Sequence, residues 1–312
     1  NVYMKISQNA RINGSVFIII AALLWGLDGI LRRTLGGIPP ITIIFFEHLI
    51  GLIILFPFVW RIVKVEKIGK REFWLLVLVA TLSGLLGTLW FTTALLKTTF
   101  ISFSVVFLLQ KLQPIFAITT ASIFLKEKFE KAYIKWAILA FLAAYFVTFK
   151  NGHINFATGG ETIKAALYAV GAAFAWGTST TFSKMILSRV SHQTTTLYRF
   201  LFTTIISFIL VLVLGYGSSL SIPTTSNYTS LIIIALTSGM VGLFLYYKGL
   251  KNTPVHISTI LELFYPLVAV VIGIFLYNDV LAPSQWIAGV ILCFAIYKIA
   301  RLKSNDNLVQ TN

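Results

Sequence analysis

The chain has 312 residues, 57% of them hydrophobic and 11% charged, with a mean hydropathy of +0.87. Soluble domains carry about 25% charged residues, and runs such as Phe73 to Leu96 and Leu231 to Leu245 leave no polar face wide enough for water. A soluble globular domain is therefore excluded, and the bilayer is the solvent. The 25 Lys+Arg against 10 Asp+Glu give a net charge of +15, and the distribution of that charge decides whether nucleic acid is a partner.

A hydrocarbon core of roughly 30 Å takes about 20 helical residues. By that ruler the sequence predicts ten helices, at about 14–32, 39–60, 73–95, 99–125, 132–149, 162–187, 194–214, 228–250, 254–276 and 284–301. Each run is too long for a strand and lacks period-two alternation, which argues against a β-barrel. The first stretch has no small-residue cleavage site, so it is expected to stay as a helix and not to be removed as a signal. Cys293, the single cysteine, lies in an apolar run and is expected to be a small buried residue. It implies neither a disulfide framework nor a metal site, and no cofactor is expected.

An even number of helices puts both termini on one side. Eighteen of the 25 Lys+Arg fall on that side, five on the other (Arg32, Arg33, Lys97, Lys150 and Lys164), and Lys111 and Arg199 fall inside spans. The positive-inside rule then makes both tails, 1–13 and 302–312, cytoplasmic in a cell (inner or plasma) membrane. The same bias accounts for the net charge, and no nucleic acid is needed.

The sequence also repeats itself at an offset of about 151. Ala21-Ala22-Leu23-Leu24-Trp25-Gly26 aligns with Ala172-Ala173-Phe174-Ala175-Trp176-Gly177, Ser83-Gly84 and Gly87 with Ser238-Gly239 and Gly242, Pro114 with Pro266, and Trp136 with Trp286. The expected domains are a first repeat over 14–149, a connecting loop over 150–161 and a second repeat over 162–301. Five helices is an odd number, so the second copy enters from the opposite side. The predicted fold is an all-α membrane protein of ten transmembrane helices in two inverted five-helix repeats, an arrangement suited to alternating access around a midplane site.

These residues resemble the drug/metabolite transporter superfamily, EamA type, over 14–301. The resemblance rests on Leu24-Trp25-Gly26, on Ala94-Leu95-Leu96-Lys97 and Gly249-Leu250-Lys251, and on the Gln113-Pro114 and Tyr265-Pro266 stretches ending in Phe124-Leu125-Lys126-Glu127 and Phe275-Leu276-Tyr277-Asn278-Asp279. It implies a secondary transporter and says nothing of the substrate. The family pattern commonly has an arginine in the second helix of each repeat. Arg199 matches it in the second repeat, whereas the first has Glu47 followed by His48.

Charges near the bilayer centre cost several kcal/mol unless they face a cavity or a partner. Five stand there: Asp28, Glu47, Lys111, Arg199 and Glu262. One reading makes Glu47 with Lys111 and Arg199 with Glu262 structural ion pairs. The other has at least two of the five lining a central cavity, with an acid exchanging a proton and His48 sharing that step. Trp25 and Trp176 either wall a pocket or pack helices, with Tyr246, Tyr247 and Tyr265 as further pocket candidates. Pro114 and Pro266 sit at matched positions where a lost backbone hydrogen bond makes a hinge. Three acids against two bases leave this site at formal −1, which favours a cationic or zwitterionic small molecule.

The expected function is secondary active export of an amino acid or related metabolite, coupled to a proton or counter-substrate. Uptake, exchange and multidrug efflux are the alternatives within transport. No G-x-S-x-G, H-E-x-x-H or G-x-x-x-x-G-K-[ST] occurs, so an intramembrane enzyme is disfavoured, and buried charges are superfluous in a membrane scaffold.

Overall fold

The computed structural model describes residues 8–96, 109–110, 112–128, 131–148, 150–152, 160–265, 267–268, 275 and 282–302. The regular elements among the described residues are all helices, with no strand. The first half contains α1 (Gln8–Trp25), the short α2 (Asp28–Arg33), α3 (Pro40–Val65), α4 (Lys70–Val79), α5 (Thr88–Leu96), α6 (Gln113–Phe124) and α7 (Lys131–Thr148). The second contains α8 (Gly160–Leu187), α9 (His192–Val213), α10 (Thr225–Ile234), α11 (Met240–Asn252), α12 (Val255–Leu261) and α13 (Pro283–Arg301). Every stretch expected to span the membrane meets a helix. Among the described residues, six segments are long and apolar enough to cross: Ile12–Arg32, Pro40–Val65, Lys70–Leu95, His192–Val213, Thr225–Asn252 and Pro283–Arg301.

Local chemistry fixes several starts. Pro40 and Pro283 stand in the first turns of α3 and α13, where proline's set φ fits and its missing N–H costs nothing. Ser191 caps α9 by accepting the Thr194 N–H, and Thr224 with Asn227 forms a reciprocal capping box on α10. Two long helices change pitch midway. Between α4 and α5, Ala80–Gly87 is π-helical, and Ala235–Gly239 is π-helical between α10 and α11. Both segments are built from small residues, and the wider turn re-aims backbone carbonyls sideways.

Packing runs across the two halves: α1 lies on α11, α3 on α9, α5 on α8, and α7 on α13. Close approach needs glycine at the first crossing, where a Cβ on Gly14 would lie 2.9 Å from the Gly249 carbonyl oxygen and one on Gly249 would lie 2.5 Å from that of Gly14. The α7–α13 seam is lined by Ala140, Ala144, Ala288 and Ala295, all buried. Phe58, Trp74, Leu167, Val213 and Val290 stand outward, the apolar exterior that a hydrocarbon solvent requires. Cys293 also stands exposed on α13, on the outward side of a helix whose inner side is taken by alanines, so the buried position expected for it is corrected.

Candidate functional site

Where the halves meet, a cavity of about 170 Å³ opens between the helices. Its lining includes Trp25, Asp28, Glu47, His48, Pro114, Trp176, Arg199, Tyr246, Glu262 and Tyr265. These residues come from eight separate segments of the chain, and the fold brings them to one wall-lined space. Lys111 and Pro266 lie outside the described residues. Pro114 stands in the first turn of α6.

The charged groups pair differently from the sequence expectation. Arg32 was assigned to a loop, yet it is 3% exposed and occupies the centre of a cluster. Its Nε donates to Asp28 Oδ2 at 2.5 Å, its Nη2 to Glu47 Oε2 at 2.8 Å, and its Nη1 to Thr92 Oγ1 at 3.2 Å. The Ser238 hydroxyl completes the cluster by donating to Asp28 Oδ1 at 2.5 Å. The cause is local: the helix breaks at Gly26-Leu27, and α2 folds Arg32 inward, one turn after Asp28 on the same face. Glu47 is thus held by Arg32. The Arg199–Glu262 pair is likewise replaced, because Arg199 Nη1 donates to the Tyr247 hydroxyl at 2.9 Å. The Tyr246 hydroxyl donates to Glu262 Oε1 at 2.6 Å and Gln113 Nε2 to Oε2 at 2.8 Å.

Among the described residues of the lining, Asp28, Glu47 and Glu262 face Arg32 and Arg199, three acids against two bases. His48 Nδ1 donates to the Ile44 carbonyl at 2.9 Å, and its ring lies 4.9 Å from that of Phe200.

The two tryptophans hold the bends of the long helices. Trp25 Nε1 donates to the Ser238 carbonyl at 2.9 Å, and Trp176 Nε1 donates to the Ser83 carbonyl at 3.0 Å. Both acceptors lie in the π-helical segments, whose geometry frees the carbonyl that the indole takes. Gly87 and Gly242 make room, since a Cβ on either would press on the indole of Trp176 or Trp25. Their faces still line the cavity, with Tyr246 5.0 Å from Trp25 and Phe91 5.3 Å from Trp176. Packing and pocket wall are therefore the same residues.

Three lining groups, Gln110 Nε2, Arg199 Nε and Thr259 Oγ1, are buried without a hydrogen-bond partner among the described residues. Buried donors are ordinarily satisfied, so these mark where an acceptor-bearing molecule is wanted. Sequence reasoning missed Arg32 and Gln113 as members of the site. The Asp28–Arg32 spacing of four was the available signal for the first.

A model of the EamA-like transporter family matches this chain twice, over residues 12–149 and 163–301. The chain belongs to the EamA-like transporter family. It is thus a membrane transporter by family and not an enzyme. The chain is 36% identical to the riboflavin transporter ImpX of Fusobacterium nucleatum subsp. nucleatum, over 94% of this chain and 99% of that protein. It is 26% identical to the uncharacterized transporter YwfM of Bacillus subtilis, over 92% and 93%. One solved crystal structure shares its fold at a TM-score of 0.75 and 15% identity, covering 92% of this chain and 97% of the other.

Outside the cavity, Glu127 follows α6 and caps α12. It accepts the Val255 N–H at 2.9 Å, the His256 N–H at 3.2 Å and His256 Nδ1 at 2.6 Å. Burial pushes its carboxyl up, but these bonds outweigh that effect and hold it below the ordinary carboxylate range.

Proposed function

We propose that this EamA-like protein carries a neutral, planar, acceptor-rich metabolite of the riboflavin type across the membrane. The observation that carries this reading is the 36% identity to a riboflavin transporter over almost the whole of both chains. The cavity supports it chemically. A flat heterocycle stacks on the rings of Trp25, Tyr246 and Phe91, while its carbonyl and ring-nitrogen acceptors meet Gln110, Arg199 and Thr259.

The transport cycle in this reading is alternating access between two inverted five-helix repeats, ten helices in all, with both tails cytoplasmic. Two family matches of nearly equal length and the cross-half pairing of α1 with α11 and α5 with α8 support the repeats. The excess of Lys and Arg on the terminal side supports the orientation.

The test uses purified protein in detergent and the fluorescence of riboflavin itself, which is quenched on stacking against indole or phenol rings. Saturable quenching is expected, with loss in Trp25→Leu. Absence of quenching by the wild-type protein, together with thermal stabilisation by an amino acid or quaternary amine, overturns the flavin reading.

A further inference from the structure

Glu262 differs from the other acids of the cavity. Asp28 and Glu47 are both ion-paired with Arg32, but the two carboxyl oxygens of Glu262 are taken by the neutral donors Tyr246 and Gln113. The residue is 7% exposed and begins a single 3-10 turn, Glu262–Phe264, that follows α12. Among the described residues no cation reaches these oxygens; a carboxylate so placed in a bilayer interior is costly, and taking up a proton removes the cost.

Among the described residues, the surroundings isolate this titration. The turn packs on α1, α7, α12 and α13. Between Ile12 and Trp25, α1 has no Asp, Glu, Lys, Arg, His or Tyr. On α7, Tyr133 is committed to the His256 carbonyl and Tyr145 to that of Gly152, with Lys131 and Lys135 at its exposed start. On α12, His256 is held by Glu127. Cys293, Tyr297 and Arg301 of α13 are exposed, and Lys298 lies against the rings of Trp136 and Phe294. From α11 comes Tyr246, and Tyr265 follows on the same turn. Across the cavity stand the Asp28–Arg32–Glu47 cluster, His48, and Arg199 on Tyr247.

We propose that Glu262 is the proton-coupling site of this transporter, a buried carboxyl that takes up one proton together with an uncharged, acceptor-rich substrate and releases both on the opposite side. This rests on the reading of the cavity given above. An ionised carboxylate only accepts hydrogen bonds and repels a substrate carbonyl, whereas the protonated group offers one O–H. Proton and substrate therefore bind as a pair. The proton comes from water on one side, forms an O–H bond at a Glu262 oxygen, and returns to water on the other side when that bond breaks. One positive charge crosses per neutral substrate.

Proteoliposomes containing the whole chain are loaded neutral and diluted into acidic buffer with riboflavin. For one proton per substrate, a gradient of about one pH unit raises steady-state accumulation about tenfold. Glu262→Gln is expected to give no accumulation above equality, while Cys293→Ser, on the outward face of α13, follows the wild type. Tyr246→Phe, which takes one donor from the carboxylate, moves the pH midpoint of transport upward. Infrared difference spectra between acidic and neutral buffer, without substrate, should show a protonated-carboxyl stretch that Glu262→Gln lacks. Counterflow of riboflavin that ignores the proton gradient overturns the coupling and leaves the substrate reading standing. An infrared signal that depends on Glu262, with no riboflavin movement, supports the proton site and overturns the substrate. Persistence of the signal in Glu262→Gln overturns the assignment itself.

Discussion

Replacing Arg32 by Met tests the cluster at the heart of the cavity. The side chain makes three polar contacts, two of them to carboxylates, and is 3% exposed. Methionine keeps the stem and removes the charge, leaving Asp28 and Glu47 facing each other without a cation. Stripping one partner from a buried ion pair costs about 3–5 kcal/mol, or between about two and about four powers of ten in the folding equilibrium. Neutralising Glu47 as well, in Arg32→Met/Glu47→Gln, removes one of the two orphaned charges and should recover part of the loss. The double-mutant cycle is read from thermal unfolding of detergent-solubilised protein followed by size-exclusion fluorescence. A coupling energy of about 1.5 kcal/mol or more is expected, since residues in one network interact by about 0.5–3 kcal/mol. Additivity to within about 0.5 kcal/mol refutes the claim that Arg32 holds Glu47.

Gly87→Val should force the Trp176 indole off the Ser83 carbonyl, costing about 1–3 kcal/mol in stability by the same melt, because overpacking a filled contact is paid in shifted backbone; an unchanged melting point argues against the crowding described. Glu127→Gln should destabilise the protein at neutral pH by about 1–3 kcal/mol, the range for a lost charged hydrogen bond. The folded protein holds this carboxyl below its unfolded value, so its stabilisation is complete above the ordinary carboxylate range and fades as pH falls through the lower folded value. The melting curves of wild type and mutant should therefore converge in acid, and a gap that widens there contradicts the capping role.

Much of the cavity wall was legible because the bilayer makes polar residues conspicuous. Glu47, Arg199 and Glu262 stand out within apolar runs, and the repeat flags Trp25 and Trp176 together. The partners were less legible. A 20-residue ruler ends the first span at Arg32 and hands it to a loop, although Gly26-Leu27 breaks the helix and turns that arginine inward. The tryptophan acceptors are main-chain carbonyls, which carry no residue signature. The π-helical segments that expose them have the same small, apolar composition as ordinary membrane helix, so the sequence pattern registers no change of pitch at Ser83 or Ser238. Gln113 reads as the companion of Pro114, and only the fold brings its amide to Glu262.

The crossed indole bonds bear on how the chain is made. Trp25 is synthesised long before the carbonyl of Ser238 exists, and the carbonyl of Ser83 waits in the same way for Trp176. When the ribosome has delivered the first half to the membrane, that half carries an indole N–H whose acceptor in the finished fold is not yet made, and a wound-out turn whose Ser83 carbonyl has the Thr88 hydroxyl at 3.1 Å but not yet the Trp176 indole. Each deficit is cured by the other half and neither by its own. A nascent first half is therefore an unfinished object until the second half is inserted. Two separately expressed halves would meet through indole N–H groups on main-chain carbonyls, so substitution at Ser83 or Ser238 leaves the acceptor in place whereas loss of either tryptophan removes the bond.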